Sequence, residues 1–151
     1  MAHYADIPGV AMQLSRGVVV ASIQVDLDDD VLARFREELL GRLHETGSNG
    51  VIFDVSGLET LDFEEFAALR RIMVMAGLMG ADSVLVGLRP GVVSALIETG
   101  ADVDGVRAAL NLDAGFALLE AETEAESATG EEVDEEDDAP LDLEAMPESH
   151  R

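Results

Sequence analysis

The sequence predicts an α/β domain with a mixed, largely parallel sheet, followed by a disordered acidic tail. Three observations carry this reading. Short runs rich in Val, Ile and Leu alternate with longer segments of helical period, which is the pattern of strands joined through helices. The first two runs instead meet at Ser15-Arg16-Gly17, a tight-turn signal that adds one antiparallel hairpin. Charge then changes character along the chain: residues 1–118 carry 18 acids and 8 arginines, whereas residues 119–151 carry 14 acids and 1 arginine. The expected division is a folded domain over 1–122 and a tail over 123–151.

Residues 11–14 and 17–25 read as the two hairpin strands, the second apolar on both faces at its start, as a central strand is. Asp28, Asp29 and Asp30 open a helix, because short carboxylates accept from free N–H groups and suit the positive end of the dipole. Leu32, Phe35, Leu39 and Leu43 follow as its apolar stripe, and Gly47 ends it in a left-handed cap. Residues 50–55 form a buried strand. A second helix begins at Asp62, with Phe66, Leu69, Met73 and Ala76 on one face and Gly77-Leu78-Met79-Gly80 as its cap. Residues 83–88 are the next strand. Pro90 occupies the first turn of a third helix, which Gly100 stops. A weak strand at 106–110 and a last helix from Asp113 to about Ala121 complete the domain.

Composition narrows the function. Apolar residues make up 48% of the chain and aromatics only 4%, so the core is built from Val, Leu, Ile, Ala and Met. No apolar run approaches the ~20 residues of a membrane span, and the first residues lack the basic start and apolar stretch of a secretory signal. With no cysteine, disulfides, thiolate chemistry and zinc–sulfur sites are excluded. The expectation is a soluble, cytoplasmic protein. A net charge of −23 repels phosphate backbones and anionic lipid, so neither nucleic acid nor a membrane surface is expected as a partner. The block from Glu131 to Asp138 is nearly all acid and cannot bury enough apolar surface to offset its ordering entropy. The mixed stretch Leu141-Asp142-Leu143-Glu144-Ala145-Met146 is read as solvated tail.

Catalytic chemistry finds no foothold. His3, His44 and His150 have no ligand spacing. Neither a phosphate-binding Gly-rich loop ending in Lys nor a Gly-x-Ser-x-Gly elbow is present, and the chain has no lysine at all. Paired carboxylates such as Asp28/Asp30 and Glu64/Glu65 are what so acidic a composition produces by chance. No enzyme activity, cofactor or metal is expected.

One series of strings is distinctive. Ser22-Ile23-Gln24-Val25-Asp26-Leu27-Asp28-Asp29 comes first, then the stretch from Glu45-Thr46-Gly47 through Val51-Ile52-Phe53-Asp54-Val55-Ser56-Gly57-Leu58. Leu61-Asp62, Leu78-Met79-Gly80-Ala81, Gly87-Leu88-Arg89-Pro90 and Leu96-Ile97-Glu98-Thr99-Gly100 follow in order. Together they resemble the STAS-domain family, and within it the scaffold proteins of the stressosome, from about residue 7 to residue 119. The resemblance implies a mixed sheet with helices on one side. It also implies a role: co-assembly with larger, sensor-bearing STAS paralogues into a core that holds a switch serine/threonine kinase, which phosphorylates the STAS domains under stress. In related anti-anti-sigma factors, a lone STAS domain binds an anti-sigma kinase instead.

In the family the phosphoacceptor Ser or Thr follows an Asp at the start of the second helix. Here Asp62 is present, but Phe63 stands at the acceptor position, followed by Glu64 and Glu65. Phe has no hydroxyl, so the switch does not carry over at this residue. Glu64 either supplies a fixed charge, smaller than the ~1.5–2 of a phosphate, or, with Asp62 and Glu65, belongs to a capping box. For the two glutamates the capping reading is preferred. Phe63 either offers a fixed apolar contact to a partner or shields the helix entry; since it has no capping role, the contact reading is the harder to dismiss. Ser56, Thr60 and Ser94 are the remaining hydroxyls near acceptor positions, each better read as a turn or helix-surface group than as a phosphosite. The leading expectation is a non-enzymatic, oligomeric scaffold; the alternatives are a lone anti-anti-sigma factor and, behind both, a small-ligand or nucleotide-binding module.

Overall fold

A computed structural model describes residues 7–138, with side chains to residue 128. The elements run β1 (Val10–Ser15), β2 (Val18–Ile23), α1 (Asp29–Thr46), β3 (Gly50–Asp54), α2 (Phe63–Leu78), β4 (Asp82–Val86), α3 (Pro90–Glu98), β5 (Ala108–Ala109) and α4 (Leu112–Asp138). The five strands lie in sequence order across one sheet. β1 pairs antiparallel with β2, and every later pairing is parallel. This is the mixed, largely parallel α/β sheet that the sequence predicts.

The hairpin closes because Ser15 pairs with Val18 across Arg16 and Gly17, whose φ angles are 55° and 76°. Two successive left-handed residues match the twist of the flanking strands. Arg16 is not a residue that favours this conformation, but its guanidinium lies 4.6 Å from the centroid of the Phe116 ring, a cation–π contact.

Side-chain alternation in the central strands builds two cores. Val19, Ala21, Ile23, Val51, Phe53 and Leu85 pack with Phe35, Leu39 and Leu43 of α1 and with the apolar faces of α2 and α3. Phe35 meets Phe53 edge-on, at 6.0 Å between centroids. The intervening Val18, Val20, Ile52, Val84 and Val86 pack with Phe116 and Leu119 of α4. Three helices therefore share one side, as the resemblance implies, and the first turns of α4 cover the other. Gly115 permits that approach: a Cβ there would fall 2.9 Å from a Val86 methyl.

Helix ends follow the expected chemistry. Gly47 ends α1 at φ 67°, its N–H donating to the Leu43 carbonyl. At the end of α2, Ala81 N–H donates to Ala76 O at 2.9 Å and Gly80 N–H to Gly77 O at 3.0 Å, with Gly80 left-handed. Gly100 closes α3 with the same pair of bonds, to Leu96 through Ala101 and to Ile97 directly.

Among the boundaries that differ from expectation, three have a plain physical cause. β4 stops at Val86 because Gly87 turns to φ 85°. β5 shrinks to Ala108–Ala109, since small residues at a sheet edge bury little and Leu110 turns out to solvent. α4 runs past Ala121 to Asp138, where Ala and Glu, both good helix formers, dominate its middle. The disorder expected from residue 123, and for the acidic block 131–138 above all, meets helix instead as far as Asp138; the rest of that expectation, including the stretch 141–146, falls outside the described residues. Contacts divide the chain into one unit ending at Leu119 and another beginning at Glu120. No helix among the described residues is long and apolar enough to cross a membrane.

Candidate functional site at the loop edge of the sheet

Parallel strands send their carboxyl ends into the N-termini of the following helices, so β2, β3 and β4 gather three loops at one edge of the sheet. These loops span residues 24–28, 55–62 and 87–89, and they lead into α1, α2 and α3. Every residue singled out at the switch position, Asp62, Phe63, Glu64 and Glu65, lies here, as do Ser56 and Thr60.

The start of α2 is fully capped. Asp62 Oδ1 accepts from the Glu65 N–H at 2.7 Å, and Glu65 Oε1 accepts from the Asp62 N–H at 2.9 Å. This reciprocal pair is the capping box, with Asp in place of Ser or Thr. The second Glu65 oxygen accepts from the Leu27 N–H at 3.3 Å, which ties the loop before α1 to the first turn of α2. The sequence shows the box in its spacing; it gives no sign of the Leu27 tether, which joins residues 38 positions apart.

α1 is capped in the same style, Asp28 Oδ1 accepting from the Val31 N–H at 2.9 Å. Phe63 projects from the capped helix end and is 45% exposed, while Glu64 is exposed beside it. Phe63 lines an open groove between the starts of α1 and α2, together with Leu27, Leu32, Ala67 and Arg71. Carboxylates rim the groove: Asp28, Asp29, Asp62 and Glu64. The arrangement is an apolar side chain on a rigid base with acidic surroundings.

The third loop braces the second. Arg89 Nη2 donates to the Ser56 carbonyl at 3.1 Å, and the Ser56 N–H donates to Asp54 Oδ1 at 3.0 Å. Gly87 sits so close that a Cβ would meet the Ser56 Cβ at 2.7 Å, and its φ of 85° is itself unfavourable for an L side chain. The sequence reads Gly87-Leu88-Arg89-Pro90 as a strand end, a helix start and a string of likeness, and gives no sign of this clamp on residue 56. Ser56, Thr60 and Ser94 are all exposed. The first two share the loop with Asp62, whereas Ser94 stands on α3, beyond the Arg89 brace.

Comparison with known proteins agrees with this architecture. The STAS domain family model matches residues 10–111. No curated protein sequence matches the chain significantly. Among solved structures, a serine-to-glutamate variant of RsbS from Moorella thermoacetica is similar at 32% identity and a TM-score of 0.66, over 76% of this chain and 97% of that one. A chain from a structure describing the molecular architecture of the stressosome, a signal integration and transduction hub, is similar at 32% identity and a TM-score of 0.66, over 75% and 98% respectively. The anti-sigma factor antagonist SpoIIAA in its unphosphorylated form shares the fold at 14% identity and a TM-score of 0.53, over 68% of this chain and 89% of that one. With the family model spanning most of the folded part and RsbS matched along nearly its whole length, the chain belongs to the STAS-domain family and is RsbS-like within it.

Proposed function

We propose that the chain is a non-enzymatic, cytoplasmic subunit of a stressosome-type assembly that binds larger STAS-bearing sensor paralogues and a switch serine/threonine kinase. The observation that carries the reading is Phe63. A large apolar residue, 45% exposed, projects from a capped helix end at the position where the family's acceptor hydroxyl is expected. Exposing an aromatic ring has no benefit for the fold, whereas a rigid aromatic on a fixed base is the usual form of an interface anchor. The subunit is thus a constitutive contact that phosphorylation at this site cannot release. Glu64 adds negative charge beside the anchor; Glu65 is committed to the cap and to Leu27.

On this reading Ser56, Thr60 and Ser94 remain unphosphorylated. The acids from residue 123 onward give each subunit a segment of like charge, which repels the same segment of its neighbours. Co-purification from native lysate tests the assignment. Recovery of larger STAS proteins together with a small kinase supports it. Recovery of one anti-sigma factor alone replaces it with the role of a lone anti-anti-sigma regulator.

A further inference from the structure

The groove beside Phe63, about 540 Å³, opens into a second hollow of about 200 Å³, and the two share Asp29, Leu32, Ala68 and Arg71. α1 and α2 leave the same sheet edge and run side by side, because each is the crossover between two parallel strands. One trough therefore leads from Phe63, the first residue of α2, to Met75, about 18 Å along the helix. Leu32, Ala68, Ile72 and Met75 give it an apolar lining.

Charge along the trough is divided by position. Asp28, Asp29, Asp62 and Glu64 stand at the Phe63 end. Arg36 and Arg71 stand roughly two turns further on, one on each wall, and both are exposed. In a chain with 32 acids, these two alone among the described arginines have a side chain with no hydrogen bond, ion pair or ring contact. Asp29 lines the hollow too, yet neither arginine pairs with it. Two unpaired guanidinium groups facing one hollow suit a carboxylate. A free anion would meet the field of a chain at −23, whereas a segment that carries a cation as well as the carboxylate would not.

The walls also decide the backbone of the occupant. The sides of two helices offer no free N–H or C=O groups, so an extended peptide would lose its hydration there without gaining hydrogen bonds. A helix satisfies its own backbone and packs its ridges between those of α1 and α2, where Ala33, Ala67 and Ala68 allow close approach.

We propose that this trough receives an amphipathic helix of the partner protein, with a basic residue toward the carboxylates around Phe63 and an acidic residue about two turns on, between Arg36 and Arg71. The inference rests on the reading of Phe63 as a partner contact and adds what the partner presents to it. Photo-cross-linking in native lysate tests it, with p-benzoylphenylalanine replacing Phe63 in one full-length bait and Met75 in another, and the attached peptides sequenced by mass spectrometry. If the Met75 replacement lowers the melting temperature, the probe goes instead at Ala33, which is exposed on the opposite wall.

Both baits are expected to reach one segment of one partner, with apolar residues spaced by three and four. A Lys or Arg should lie beside the residue reached from position 63, and an Asp or Glu within a turn of the one reached from position 75. As a synthetic peptide, that segment should bind the double variant Arg36→Gln/Arg71→Gln about tenfold more weakly than wild type. The melting temperature of the double variant should be unchanged, since neither guanidinium has a partner to lose. The proposal is overturned if the groove probe captures nothing, a second copy of this chain, or a protein other than the one captured from position 63. It is equally overturned if the segment lacks the acid or if the double variant binds undiminished. Capture from position 63 alone removes the groove and keeps Phe63 as a contact; silence from both positions removes that reading as well.

Discussion

At the scale of single residues, Phe63 and Glu65 are neighbours with opposite assignments, and substitution separates them. Phe63 is half in solvent, so Phe63→Ala should change stability by less than about 1 kcal/mol and act on partner binding instead, which surface binding to the recovered partners would measure. Glu65 is tied through both oxygens. Glu65→Ala removes the return half of the capping box and the Leu27 tether together, and should cost about 1–2 kcal/mol in urea denaturation. Glu65→Gln keeps an oxygen for the Asp62 N–H and should recover part of that loss. Gly87→Ala combines a left-handed backbone with a 2.7 Å approach to Ser56; a destabilisation above about 1 kcal/mol is expected, with Ser56 mispositioned. The capping box was legible from Asp62-x-x-Glu65 alone. The Gly87–Ser56 contact was not, because nothing in a linear string says which two loops a parallel sheet brings to the same edge.

Among the elements, legibility followed burial. α1, α2, β2, β3 and β4 were readable because each presents a continuous apolar pattern to one or two cores, and a one-residue slip would expose all of it. Leu39, fully buried on α1, is a direct check: Leu39→Ala should cost about 2–5 kcal/mol by thermal or urea unfolding. β5 was read too long because Val106 and Leu110 look like strand residues, whereas only the two alanines between them pair with β4. The length of α4 was missed for a different reason. Acid-rich composition argues against burial, but it does not argue against helix when Ala and Glu supply the residues. The second core, where Phe116 and Leu119 meet the far face of the sheet, shows why β2 and β4 are apolar on both sides.

For the molecule as a whole, charge sets the terms of association. With a net charge of −23, copies of the chain repel one another at long range, and added salt shortens that reach to about 10 Å at 0.1 M. Self-association, followed by sedimentation velocity, should therefore tighten as ionic strength rises; weaker association in high salt would mean that opposite-charge contacts hold the assembly. The same field favours partners with basic rims around an apolar pocket, which is what Phe63 and its ring of carboxylates would meet.

The central claim is that this STAS domain makes its partner contact through residue 63 without a phosphorylation switch. The most direct measurement is capture of partners from native lysate by tagged wild type and by Phe63→Ala, with intact mass recorded on each recovered bait after stress. The account predicts that wild type retains larger STAS proteins and a kinase, that Phe63→Ala loses the kinase, and that neither bait gains the mass of a phosphate. A phosphate on the wild-type bait, mapping to Ser56, Thr60 or Ser94, or a partner set indifferent to Phe63→Ala, would contradict it.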